Sequence, residues 1–77
     1  MNKPKKTINE FGNTVYTLNG KRHREDGPAV EYANGYKAWW VNGKLHREDG
    51  PAVEGEDGYK AWYVNGNLVN QVWTISK

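Results

Sequence analysis

Seventy-seven residues without cysteine, with 11 Lys and Arg against 9 Asp and Glu, make one small domain and exclude disulfide bracing and thiolate metal sites. The net charge of +2 is too small for a phosphate-tracking surface, which needs a one-signed stripe. Four Trp, five Tyr and one Phe predict a thin core built on large rings and disfavour disorder.

The chain opens with Met1-Asn2-Lys3-Pro4-Lys5-Lys6, where Lys3, Lys5 and Lys6 form the one unbalanced basic cluster. No apolar run follows, so the segment does not read as a secretory signal. No stretch approaches the ~20 apolar residues that span a bilayer, and the expected location is the cytoplasm. Residues 7–11 are read as a lead-in strand closing segment 1–11. Three copies of one unit then follow. His23-Arg24-Glu25-Asp26-Gly27-Pro28-Ala29-Val30-Glu31 returns as His46-Arg47-Glu48-Asp49-Gly50-Pro51-Ala52-Val53-Glu54, and 46 − 23 gives a period of 23. Gly35-Tyr36-Lys37-Ala38-Trp39-Trp40-Val41-Asn42-Gly43 returns at 58–66, and a diverged copy stands at 12–20. The units are 12–34, 35–57 and a truncated 58–77. The third unit abandons the His-Arg-Glu-Asp block, as a terminal cap should. Its Val72-Trp73-Thr74-Ile75 reads as a closing strand.

Asn-Gly at 19–20, 42–43 and 65–66, together with Asn34-Gly35 and Asp57-Gly58, predicts type I′ hairpins. Gly27-Pro28 and Gly50-Pro51 mark further bends. No segment shows helical periodicity. The expected fold is all-β, a single twisted antiparallel meander of tandem 23-residue hairpin repeats with a C-terminal capping strand.

Strand alternation sorts the side chains. Tyr16 and Leu18, Trp39 and Val41, and Trp62 and Val64 share one face, expected to be buried. The other carries Val15 and Thr17, then Tyr36, Ala38 and Trp40, then Tyr59, Ala61 and Tyr63. There Trp40 and Tyr63 either pack across strands or form an exposed aromatic patch of the kind that anchors interfaces. The candidate partner-binding set is Tyr36, Trp40, Tyr59 and Tyr63, aided by Lys37 and Lys60.

The repeated His-Arg-Glu-Asp block resembles a metal or acid–base site, yet an active site is normally unique and this block recurs in both full units. Recurrence points to a joint between units, made by His23, Arg24, Glu25 and Asp26, then by His46, Arg47, Glu48 and Asp49. The aspartates would accept backbone amides in the Gly-Pro bend, the arginines would fork to Glu25, Glu48 or strand carbonyls, and the imidazoles would fill the gap beside the Trp layer. No catalytic residue, metal or cofactor is expected.

The string Asn42-Gly43-Lys44-Leu45-His46-Arg47-Glu48-Asp49-Gly50-Pro51-Ala52 resembles the tandem repeats of small bacterial and bacteriophage proteins. The period and the pattern aromatic–x–x–Asn-Gly-Lys–x–His are also similar to MORN repeats, whose hairpins stack into one long sheet. Where MORN units continue into Gly-x-Gly, this chain reads Arg-Glu-Asp-Gly-Pro. The resemblance implies a non-enzymatic scaffold for protein contact, while this departure and the near-neutral charge argue against membrane binding. For a phage source it implies an inhibitor or decoy in the host cytoplasm, acting on a defence protein such as a CRISPR nuclease. The alternative is a nucleic-acid binder that stacks bases on the same aromatics and uses Lys3, Lys5 and Lys6 on phosphate. The C-terminal edge is expected either to pair with a second copy or to fold back over the sheet.

Overall fold

A computed structural model describes residues 3–73. It is all-β, with ten strands and no helix among the described residues, so none is long and apolar enough to cross a membrane. The strands are β1 (Lys5–Ile8), β2 (Thr14–Leu18), β3 (Lys21–Arg22), β4 (Val30–Glu31), β5 (Lys37–Ala38), β6 (Trp40–Val41), β7 (Lys44–Leu45), β8 (Val53–Glu54), β9 (Lys60–Val64) and β10 (Asn67–Val72). Most of the chain forms one antiparallel sheet in the order β1-β2-β4-β5-β8-β9-β10, with β3 hanging from β2. The slab measures 44 × 29 × 16 Å. Its thickness leaves no room for a second sheet stacked at about 10 Å with its own outer side chains.

The Asn-Gly turns form as their sequence requires. Asn19, Asn42 and Asn65 take φ of 54°, 53° and 52°, and each is followed by a glycine that is also at positive φ. Two consecutive left-handed residues define the type I′ turn. The turns at Asn34-Gly35 and Asp57-Gly58 differ from expectation. Only Gly35 and Gly58 are left-handed there, and the Gly35 amide bonds Tyr32 O at 2.9 Å while the Tyr32 amide bonds Tyr36 O at 2.8 Å. This is a three-residue loop with a glycine bulge rather than a type I′ turn. Gly12, with its amide on Asn9 O at 3.1 Å, closes the same loop at the front of the chain.

Two further expectations need correction. The sheet is not single throughout, because β6 and β7 form a separate two-stranded ladder. The break falls at Trp39, whose amide donates to Ala52 O while its carbonyl accepts from the His46 amide. The middle strand is interrupted there, whereas β2 and β9 run unbroken. The second correction concerns the faces. Cross-strand pairing aligns Val15, Val30, Ala38, Val53 and Ala61 in one row, and the last four are buried, Val30 to 1% and Ala61 to 0% exposure. Tyr16, Leu18, Trp39, Val41 and Trp62, expected in the core, are only half-buried, and Val64 is exposed. Ala29 and Ala52, in the row of Tyr16, Trp39 and Trp62 on the second face, are also buried to 0% exposure, so small side chains are buried on both faces and the large rings are covered only in part.

The β1 edge carries Lys5 and Lys6, while the β10 edge has no charged residue and is exposed along its whole length. Its pairing with β9 shifts register between Leu68 and Asn70. Of the expected closing strand Val72-Trp73-Thr74-Ile75, the last two residues lie outside the described residues.

Candidate functional site

Each His-Arg-Glu-Asp block leaves one unit and reaches the next. After β3 the Arg24 amide donates to Trp40 O at 2.9 Å, and the Gly43 amide donates back to Arg22 O at 2.8 Å. His23 is buried to 7% exposure, and its Nδ1 accepts the Asn42 amide at 3.0 Å. His46 Nδ1 accepts the Asn65 amide at the same distance. The other ring nitrogens, Nε2, face Glu25 and Glu48 at 3.5 Å.

The arginines lie flat over the half-buried rings. Arg24 sits 4.1 Å from the Tyr16 centroid and Arg47 sits 3.9 Å from that of Trp39, well inside cation–π range. Arg47 donates from Nε to Asp49 at 3.0 Å and from Nη1 to Pro51 O and Glu54. Arg24 repeats this with Asp26 and Pro28 O. The aspartates therefore hold the guanidinium groups and not the backbone amides expected of them. Gly27 and Gly50 make room, since a Cβ there would stand 2.9 Å from the guanidinium carbon. Between the two blocks lies an open cleft of about 720 Å³, floored by Trp39 and Val41 and rimmed by Glu25, Asp26, Glu48 and Asp49. Its arginines are already engaged and its one imidazole, His46, has Nδ1 occupied. Among the described residues no group of three or more His, Asp or Glu is placed to hold a metal.

The opposite face gathers aromatic rings at one end. Tyr32 and Tyr36 flank their glycine-bulge loop and meet edge to face at 5.9 Å. Tyr59 holds Trp73 at 4.1 Å because the β9–β10 register, with Gln71 opposite Ala61 and Val72 opposite Lys60, continues to Trp73 opposite Tyr59. The Tyr59 hydroxyl donates to Gln71 Oε1 at 3.2 Å. Gly55 lies beneath both groups, as a Cβ there would meet Tyr59 Cβ at 3.3 Å and the Tyr36 ring at 3.4 Å. Burial, reinforced by repulsion from the Tyr59, Tyr32 and Tyr63 phenolates as they ionise and from Asp57, pushes the Tyr36 phenol above its ordinary value. Trp73 is 65% exposed and Tyr32 38%.

The expected partner-binding residues thus divide. Tyr36 and Tyr59 belong to this cluster, and Tyr63 stands near it, half-buried. Trp40 is not the exposed anchor considered above. It starts β6, lies beneath Arg22 at 5.1 Å, and its indole N–H is buried without an acceptor among the described residues. Lys37 and Lys60 are exposed but project from the other face, opposite Glu31 and Glu54. Sequence reasoning missed Tyr32 as a member and took Trp73 only as a strand residue. Pairing across the two hairpins, which joins 32 to 36 and 59 to 73, was the signal that would have found both.

The chain matches no family model, no curated protein and no solved structure.

Proposed function

We propose that this chain is a non-enzymatic protein-binding module whose contact surface is the cluster Tyr32, Tyr36, Tyr59 and Trp73. The observation that carries the reading is a contiguous, partly exposed run of tyrosine and tryptophan rings on a rigid hairpin frame. Such rings supply large contact area and polar tips at low entropic cost, and they dominate interface energetics. The His-Arg-Glu-Asp block, the other candidate, spends its hydrogen-bonding groups on the chain itself. Read with the resemblance to phage-type repeat proteins, the binding would serve as inhibitor or decoy of a host defence protein, a CRISPR nuclease being one example. Base stacking with phosphate contact is less well supported, because Lys5 and Lys6 stand on the β1 edge while the cluster runs from the β4–β5 loop to the β10 edge.

Affinity capture from a host lysate tests the reading. Proteins retained by the native chain should be lost with Trp73→Ser and Tyr32→Ser and kept with Phe11→Ser, whose exposed ring lies in the turn between β1 and β2. Equal retention by all four proteins would sink the assignment. A second reading, pairing of two copies through β10, is favoured by the charge-free, exposed edge. Light scattering at rising concentration tests it, and a monomer throughout counts against it.

A further inference from the structure

The chain contains four Asn-Gly dipeptides, at 19–20, 34–35, 42–43 and 65–66. This dipeptide is chemically labile because the glycine amide nitrogen can attack the asparagine side-chain carbonyl without hindrance from a Cβ. Three of the four amides are engaged. Gly35 donates to Tyr32 O at 2.9 Å, Gly43 to Arg22 O at 2.8 Å and Gly66 to Leu45 O at 2.8 Å. The last two bonds follow from the repeat, in which the returning strand of each unit caps the Asn-Gly turn of the next. Among the described residues no strand caps Gly20 as β3 caps Gly43 and β7 caps Gly66. The Gly20 amide has no backbone acceptor among them, and nothing lies within 4 Å of the place a Cβ would occupy, whereas Lys21 flanks Gly43 and Lys44 flanks Gly66 at under 4 Å.

We propose that Asn19 is a site of spontaneous covalent modification, deamidating through a cyclic imide well before the three other Asn-Gly asparagines. The Gly20 nitrogen, on losing its proton, bonds to Asn19 Cγ. The Cγ–Nδ2 bond breaks, ammonia leaves, and water then opens the ring at either carbonyl to give aspartate or isoaspartate. The balance is one water consumed and one ammonia released, with no redox change. A free amide N–H gives up its proton and reorients more easily than one fixed in a hydrogen bond, which must first be broken. The product places a new carboxylate beside Lys21. The isoaspartyl form also adds a backbone carbon to the β2–β3 hairpin and so disrupts its type I′ turn.

Hydroxylamine, which cleaves the chain at the cyclic imide, is the probe. Native full-length protein is treated at a mildly alkaline pH at which circular dichroism verifies the fold, and a second sample is treated in guanidinium chloride. The unfolded chain should be cut at all four dipeptides. The native chain should give fragments 1–19 and 20–77 first, about tenfold faster than any other cut, as expected for one protecting hydrogen bond. Equal native rates at the four sites, earlier cutting at 34, 42 or 65, or no native cut at Asn19 while the unfolded chain is consumed would each overturn the proposal. Mass spectrometry of aged protein gives the same ranking without the probe.

Discussion

His23 Nδ1 accepts the backbone amide of Asn42 at 3.0 Å, across nineteen residues of chain. The bond ties the block of the first unit to the turn of the second, and His46 with Asn65 repeats it one period later. In each pair the imidazole satisfies an amide that type I′ geometry turns away from its own strand.

Replacing His23 with alanine leaves that part-buried amide without its partner. The expected loss is about 1–3 kcal/mol, the desolvation penalty of an orphaned donor. His46→Ala should cost less, because its site is more open. Urea unfolding of the two variants measures both values. A larger loss at His46 would contradict the burial argument.

Arg47 joins four partners: the Trp39 ring, Asp49, Pro51 O and Glu54. Gly50→Ala should displace it, since the added methyl group meets the guanidinium carbon at 2.9 Å. Its backbone is not at positive φ, so the effect isolates the lost approach. Gly50→Ala and Arg47→Lys should each lower the melting temperature by several degrees, about 4–8 °C per kcal/mol in a domain of this size. The double variant should fall short of the sum, because both changes disrupt one arrangement.

The Tyr36 phenol is held above its ordinary value of 10.0, first by burial and then by the negative charge of neighbouring phenolates and Asp57. A raised folded value means that the fold retains the proton longer than the unfolded chain does. That contribution to stability is fully present below about pH 10 and is lost as pH rises through the folded value. Absorbance titration at 295 nm should show a tyrosine ionising later than the rest. Tyr36→Phe should remove that late component and flatten the alkaline decline in melting temperature.

Trp73 is exposed over most of its surface and touches Tyr59. Trp73→Ser should change stability by no more than about 0.5–1 kcal/mol, the range of a surface change that gives up one aromatic contact. The same variant should lose the captured partner. A collapse in stability would instead make the ring part of the core and remove it from the contact surface.

The all-β class and the type I′ turns at 19–20, 42–43 and 65–66 were legible in the sequence because each rests on local chemistry. An Asn-Gly pair tolerates two positive φ angles wherever it stands, and alternation needs only neighbouring residues. The glycine-bulge loops at 32–36 and 55–59 were mistaken for type I′ turns because Asn34 and Asp57 permit either form, and loop length decides between them. Which residues are buried could not be read from hydrophobicity. The sequence favours the large rings of Trp39 and Trp62 as core, but the buried apolar residues are the small Ala29, Val30, Ala38, Ala52, Val53 and Ala61, drawn from both faces of a thin sheet. The tertiary structure alone also decides that Arg24 and Arg47 cover the rings of Tyr16 and Trp39, that Trp40 lies beneath Arg22, and that Tyr32 and Trp73 join Tyr36 and Tyr59. Each of these depends on the register of strands distant in sequence, which no local pattern records.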